Sequence, residues 1–251
     1  MTPEQPADSP WPQRNLPHTD ITVGPCAWRL PMLAGSDRDY VRSHPSLVVV
    51  DPADAGAVLE QAAPHIEGLP LLLGIAEPAF ARQLEPTITR RMQQLNRQHV
   101  DAVVLHVDDP AEIKSGGMLQ TLFAMRDAGV IGCVGLAHPD AAVAEWLSMN
   151  AAVRLLGVNY SLDDLAARHR ALPSAEEYGM SAYALNSPKD GRAMCFALAE
   201  NHRVLPVLDR PVTAEFTAMS GGEVEAIWRA DQQKTPPPPP LKRGMPPMAE
   251  G

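Results

Sequence analysis

Between Ile21 and Leu208 the chain repeats one motif: a short aliphatic or β-branched run, then a stretch with helical periodicity. The runs are Ile21–Trp28, Ser46–Val50, Leu69–Ile75, Ala102–His106, Gly132–Leu136, Arg154–Val158, Met180–Leu185 and Val204–Leu208. Several are apolar at successive positions, as in Leu47-Val48-Val49-Val50 and Ala102-Val103-Val104-Leu105. A half-solvated strand would alternate apolar with polar, so these runs belong to parallel strands covered on both faces. Between them, Thr87–Arg97 sets Ile88, Met92 and Leu95 on one helical face. Met118–Asp127 does the same with Leu119, Leu122 and Phe123, ending at Gly129. Asp140 caps Ala141–Met149, with Val143, Trp146 and Leu147 as its buried stripe. Asp190 and Gly191 open Arg192–Glu200, and Pro211–Trp228 reads as a last helical region broken at Gly221-Gly222. The first crossover, Arg29–Pro45, has room for one helical turn or none. Eight strands alternating with helices predict an α/β fold, a compact (β/α)8 TIM barrel. An open doubly wound sheet would carry a Gly-rich phosphate turn after its first strand, and Val23-Gly24-Pro25-Cys26-Ala27-Trp28 lacks one.

Proline marks the limits of that barrel. Of 26 prolines, clusters fall in residues 1–20 and again at Pro236–Pro240, Pro246 and Pro247. We therefore expect a disordered Pro-rich segment over 1–20, a barrel over 21–230 and a disordered Pro-rich tail over 231–251. The proline run should form a polyproline II rod, and Pro237, Pro240 and Lys242 fit a PxxPxK docking segment.

A formal charge of −9 argues against nucleic acid or an anionic membrane surface as a partner. No apolar run reaches the roughly 20 residues needed to span a bilayer, and MTPEQPADSPWPQRN has no secretory pattern. Cys26, Cys133 and Cys195 form no CxxC and no even framework, which is the usage of reduced thiols in a cytoplasmic protein.

In the middle of the sequence, Arg90–Asn96 (RRMQQLN) and Val100–His106 (VDAVVLH) resemble the third-helix and fourth-strand signature of the aldo/keto reductases. Leu119–Leu136 (LQTLFAMRDAGVIGCVGL), Leu155–Asp163 (LLGVNYSLD) and Tyr178–Ser187 (YGMSAYALNS) are similar to the segments that follow it. Val48–Ala53 (VVVDPA) resembles the second strand. The resemblance covers roughly residues 45–210 in order. It implies hydride transfer from NADPH to a carbonyl, with a Tyr as acid, a Lys and an Asp that tune it, and a His that orients the carbonyl. A phenol with a pKa near 10 needs a neighbouring cation to give up its proton at neutral pH.

By position, the resemblance makes Asp51 and His106 the catalytic candidates. The tyrosine position reads Ala55 or Gly56, and no tyrosine lies between Tyr40 and Tyr160. The lysine position falls in Leu73-Gly74-Ile75, and Lys114 is the first lysine of the chain. Tyr183 matches the aromatic on which a nicotinamide stacks, and Asn159 and Arg210 join it as candidate cofactor contacts. The amide-holding positions read Ala137-His138 and Gly157, and one Arg beside Asp209 makes a poor cradle for a 2′-phosphate. NADP binding is therefore expected to be weakened or lost. Trp28 corresponds to a pocket wall of the family, or to plain core.

These residues imply an aldo/keto-reductase-like pseudoenzyme, a non-catalytic barrel that binds a small-molecule ligand or a protein partner. One alternative is an active NAD(P)H-dependent oxidoreductase in which His106 serves as the acid. Another is a metal-assisted hydrolase using His106, His138 and Asp209. Other expected mouth residues are Asp108, Asp109 and Asn186, at strand C-terminal ends.

Overall fold

The computed structural model describes residues 12–115, 117–213 and 218–234. An antiparallel hairpin comes first, β1 (Arg14–Asn15) with β2 (Thr22–Val23). Parallel strands follow: β3 (Ala27–Arg29), β4 (Val48–Val50), β5 (Leu71–Ala76), β6 (Val100–His106), β7 (Ile131–Ala137), β8 (Leu155–Val158) and β9 (Ser181–Ala184). The last stave is split into β10 (Val204–Leu205) and β11 (Val207–Leu208).

Pro206 makes that split. It has no N–H to donate into a ladder. Before it, β10 pairs with β9; after it, β11 pairs with β3. The Pro206 carbonyl still accepts a hydrogen bond from the Ala27 amide at 2.8 Å. The proline therefore sits where the eighth stave passes from one neighbour to the other, and the ring of eight closes through it. The expected (β/α)8 barrel is the fold found.

Side-chain alternation divides the buried apolar residues into two sets. Ala27, Leu47, Val49, Leu72, Ala102, Val104, Cys133, Leu155, Tyr183, Leu205 and Val207 point into the barrel. Their neighbours along each strand, among them Trp28, Val48, Leu73, Val103, Leu136 and Leu156, pack outward against the helices. Both faces are buried, which is why the strands read as continuous apolar runs.

The unstructured segment expected over 1–20 does not extend that far. From Pro12 the chain is folded, because Leu16, Ile21 and Val23 close the barrel floor and belong to its interior cluster. The Ser181 hydroxyl donates to the Pro17 carbonyl and the Arg14 guanidinium to that of Asn201, tying the hairpin to the staves above it. Residues 1–11 and 235–251, with the expected polyproline docking segment, lie outside the described residues.

The helices are α1 (Pro31–Ala34), α2 (Arg38–Ser43), α3 (Gly56–Ala62), α4 (Leu84–Gln94), α5 (Pro110–Ser115), α6 (Gly117–Asp127), α7 (Ala141–Asn150), α8 (Ala166–His169), α9 (Ala171–Glu177), α10 (Gly191–Ala199) and α11 (Gly221–Lys234). Asp140 caps α7 by accepting from the amides of Ala142 and Val143 at 2.8 and 2.9 Å. Asp190 caps α10 through the Ala193 amide at 2.8 Å. The last helix departs from expectation: Gly221-Gly222 starts α11 instead of breaking a longer helix. Ser220 and Glu223 form the capping box that fixes this start, the Ser220 amide donating to Glu223 Oε2 at 2.9 Å. α11 also runs to Lys234, beyond the expected tail boundary at 231. None of the described helices is long and apolar enough to cross a membrane.

Candidate active site

The barrel mouth is built on the C-terminal ends of the staves. At the end of β3, Arg29 is mostly buried, and its Nη1 donates to Asp51 Oδ2 at 2.7 Å. Its Nη2 donates to the Leu185 carbonyl, across the mouth from β4. One guanidinium thus bridges the loops after β4 and β9.

Asp51 is held in a tight turn. Its Oδ1 accepts from the Ala53 amide at 3.0 Å, and its own amide donates to Asp54 Oδ2 at 2.8 Å. Arg91, from α4, donates to the carbonyls of Asp51 and Pro52 at 2.7 and 2.8 Å. Burial holds the Asp54 carboxyl above the usual range and the Asp51 charge adds to this, while the Asp51 amide and the two arginines oppose it.

His106 closes β6 and lies within electrostatic reach of Asp51, Arg29 and Asp108. Burial lowers its pKa from 6.5; Arg29 adds to that, and the two carboxylates pull the other way. A neutral imidazole is the result. Its Nε2 lies over Gly74 of β5, where an added Cβ would stand 3.2 Å from it, 2.7 Å from the Val50 carbonyl oxygen and 2.8 Å from Pro52 Cδ. The stem of a lysine has no room at that place.

Tyr183 projects from β9 into the barrel with 1% of its surface exposed. Its hydroxyl has no hydrogen-bond partner. A Cβ on Gly157 would stand 2.8 Å from that oxygen and 2.6 Å from Ala137 Cβ, so glycine at 157 is what lets the ring fit. Burial drives the phenol pKa well up; the Arg29 charge opposes this and the Asp51 charge adds to it.

Most of the other sequence-derived candidates are tied to loops around the mouth. Arg210 donates to Asp209 Oδ1 at 3.1 Å and to the Pro188 carbonyl at 3.0 Å. His138 Nδ1 accepts from the Asp140 amide at 3.0 Å. Asn186 Oδ1 accepts from the Tyr160 amide at 3.0 Å, and Asn159 stands half-buried just beyond β8. His106, His138 and Asp209 do not assemble: among the described residues no three His, Cys, Asp or Glu side chains form a group that could hold a metal ion. Trp28 faces outward, its Nε1 donating to the His44 carbonyl at 2.9 Å, so it is core and not a pocket wall.

Two features escaped the sequence reading. Arg29 follows an apolar triplet in a short strand, and its distance from β4 was the missing signal. Glu77, just past β5, accepts from the amides of Asp108 and Asp109 at 2.6 and 3.1 Å, pinning the loop after His106. Glu77 Oε1 is buried without a partner.

No family model matches the sequence, and no curated protein does. Solved structures do. An aldo-keto reductase from Bacillus halodurans, in its holo form, superposes with a TM-score of 0.69 at 14% identity, over 87% of this chain and 96% of that one. An aldo-keto reductase from Klebsiella pneumoniae in complex with NADPH gives 0.62 at 15% identity, over 91% of this chain and 96% of that one. The chain has the aldo-keto reductase fold.

Proposed function

We propose that this barrel of aldo-keto reductase fold binds a small molecule at its mouth and does not reduce it. The observation that carries this reading is the covered Tyr183. A nicotinamide needs an open aromatic face to stack on. Here the ring is buried, and Arg29 bridges Asp51 and Leu185 beside it.

The proton donor is missing as well. Four tyrosines occur in the chain. Tyr40 donates to the Val212 carbonyl at 2.7 Å and Tyr160 to Glu200 Oε2 at 2.7 Å, so both hydroxyls are engaged outside the mouth. Tyr178 ends α9, at the opposite end of the barrel, and Tyr183 is sealed. His106 makes a poor substitute acid, since a group held neutral carries no spare proton at pH 7. The residues present therefore do not fit NADP: Arg210 is already paired with Asp209 and hydrogen-bonded to the Pro188 carbonyl, and no amide-bearing side chain stands at Gly157.

Calorimetric titration with NADPH tests this directly. Affinity weaker than about 50 μM, near −6 kcal/mol, together with no loss of 340 nm absorbance in the presence of simple aldehydes, is the expected result. Tight binding with turnover would restore the oxidoreductase reading.

A further inference from the structure

The opposite end of the barrel carries a second polar concavity. It is a cleft of about 410 Å³ between the β1–β2 hairpin, the base of β9 and β10, and the helices α8 and α9. Arg14, Arg168 and Arg203 line it, with His18 and His202; Glu176 is the one carboxylate among its lining residues.

Two of these cations have donors to spare. Arg168 is 7% exposed, its Nη1 donates to Glu200 Oε2 at 3.1 Å, and its guanidinium lies 4.2 Å over the Trp228 ring. Its Nε is buried and has no acceptor. Arg14 gives one Nη to the Asn201 carbonyl, while its Nε is also buried without an acceptor. Glu200 cannot neutralise the group: its Oε2 already serves Tyr160 and Arg168, with Arg203 Nε 4.0 Å away. Arg168 and the half-exposed Arg203 therefore share one buried carboxylate, and Arg14 has no carboxylate partner, in a protein whose net charge is −9. Burial also lowers the Arg14 pKa.

We propose that this cleft binds a small organic oxyanion, a phosphate monoester or a free carboxylate, held by Arg14, Arg168 and Arg203. A guanidinium fork matches two oxygens of such a group, and stacking on Trp228 pre-sets one of the three. The apolar wall of Leu172, Met180 and Leu205 accommodates a short carbon skeleton. This site is separate from the mouth and stands whether or not the mouth binds NADPH.

The test is thermal denaturation and calorimetry of the full chain with sodium phosphate or sodium acetate, against sodium chloride at equal ionic strength. A saturable rise in Tm with phosphate, acetate or both is expected, and the anion that acts identifies the headgroup. Arg203→Gln, at a half-exposed side chain, and Arg14→Gln should each weaken binding about tenfold while keeping the far-ultraviolet spectrum. Arg229→Gln, on the exposed face of α11, should leave it unchanged. No saturable effect of either anion, or an effect untouched by both cleft variants (an adventitious ion only), would overturn the proposal.

Discussion

At the scale of single residues, the mouth holds two groups whose chemistry follows from burial. Tyr183 keeps its hydroxyl in an apolar wall with no acceptor, and a buried polar group without a partner costs stability. Tyr183→Phe removes that oxygen and leaves the ring in place. We expect the variant to be more stable by about 1 kcal/mol, read from the urea midpoint; a loss of stability would show that the hydroxyl has a partner. His106 gives a pH signature. Its folded pKa lies below the unfolded 6.5, so between the two values the unfolded chain binds more protons. Its contribution to stability is therefore whole above about pH 6.5 and is lost as the pH falls toward the folded value. Nuclear magnetic resonance of the His106 ring should give a titration midpoint below 6.5; one above it would mean that Asp51 and Asp108 outweigh burial.

At the scale of elements, Gly74 shows why the sequence could be read for the barrel yet not for the site. Short aliphatic runs located the staves, several of them continuous, because parallel strands buried on both faces leave that pattern, although the expected strand Ile21–Trp28 divides into β2 of the hairpin and β3 of the barrel. α8 and α9 were missed: LAARHRALPSAEE is interrupted by Pro173, which the first turn of α9 tolerates since its amide would have no partner there anyway. The hairpin was missed because strands of two residues carry no periodicity. Asp51 and His106 could be placed by resemblance, but the Arg29 bridge spans residues 29, 51 and 185, and no local pattern encodes such a meeting. Gly74 tests how firmly the β4–β5–β6 mouth is set. In an open strand, Gly→Ala gains about 0.4–1 kcal/mol through the unfolded chain. Here the new Cβ meets a backbone carbonyl at 2.7 Å, which cannot turn aside. Overpacking should win, and Gly74→Ala should destabilise by about 1–3 kcal/mol in urea titration. A neutral or stabilising result would mean that β4 and β5 can part without cost.

At the scale of the whole molecule, charge is divided between the two ends of the barrel. The segments leaving the staves hold Asp51, Asp54, Glu77, Asp108, Asp109, Asp140, Asp163, Asp164, Asp190 and Asp209, against Arg29, Arg82, Lys189 and Arg210. The segments entering them hold Arg14, Arg97, Arg126, Arg154 and Arg203 against Asp20, Glu67, Asp127, Glu176, Glu177 and Glu200, a near balance. Most of the net −9 therefore surrounds the mouth. A phosphate-bearing cofactor would approach against that field, whereas a neutral or cationic ligand would not. Soluble nitroxides of opposite charge can map the division, with His138 reporting on the mouth and His202 on the floor. At about 10 mM salt, where the screening length is roughly 30 Å, a cationic nitroxide should broaden the His138 ring signals more than those of His202. An anionic one should reverse the order. At about 1 M salt the screening length shrinks to roughly 3 Å, and both preferences should fade together. If the two probes rank the histidines alike at low salt, the mouth is not an acidic funnel. The exclusion of a dinucleotide phosphate would then rest on the shape around Tyr183 alone.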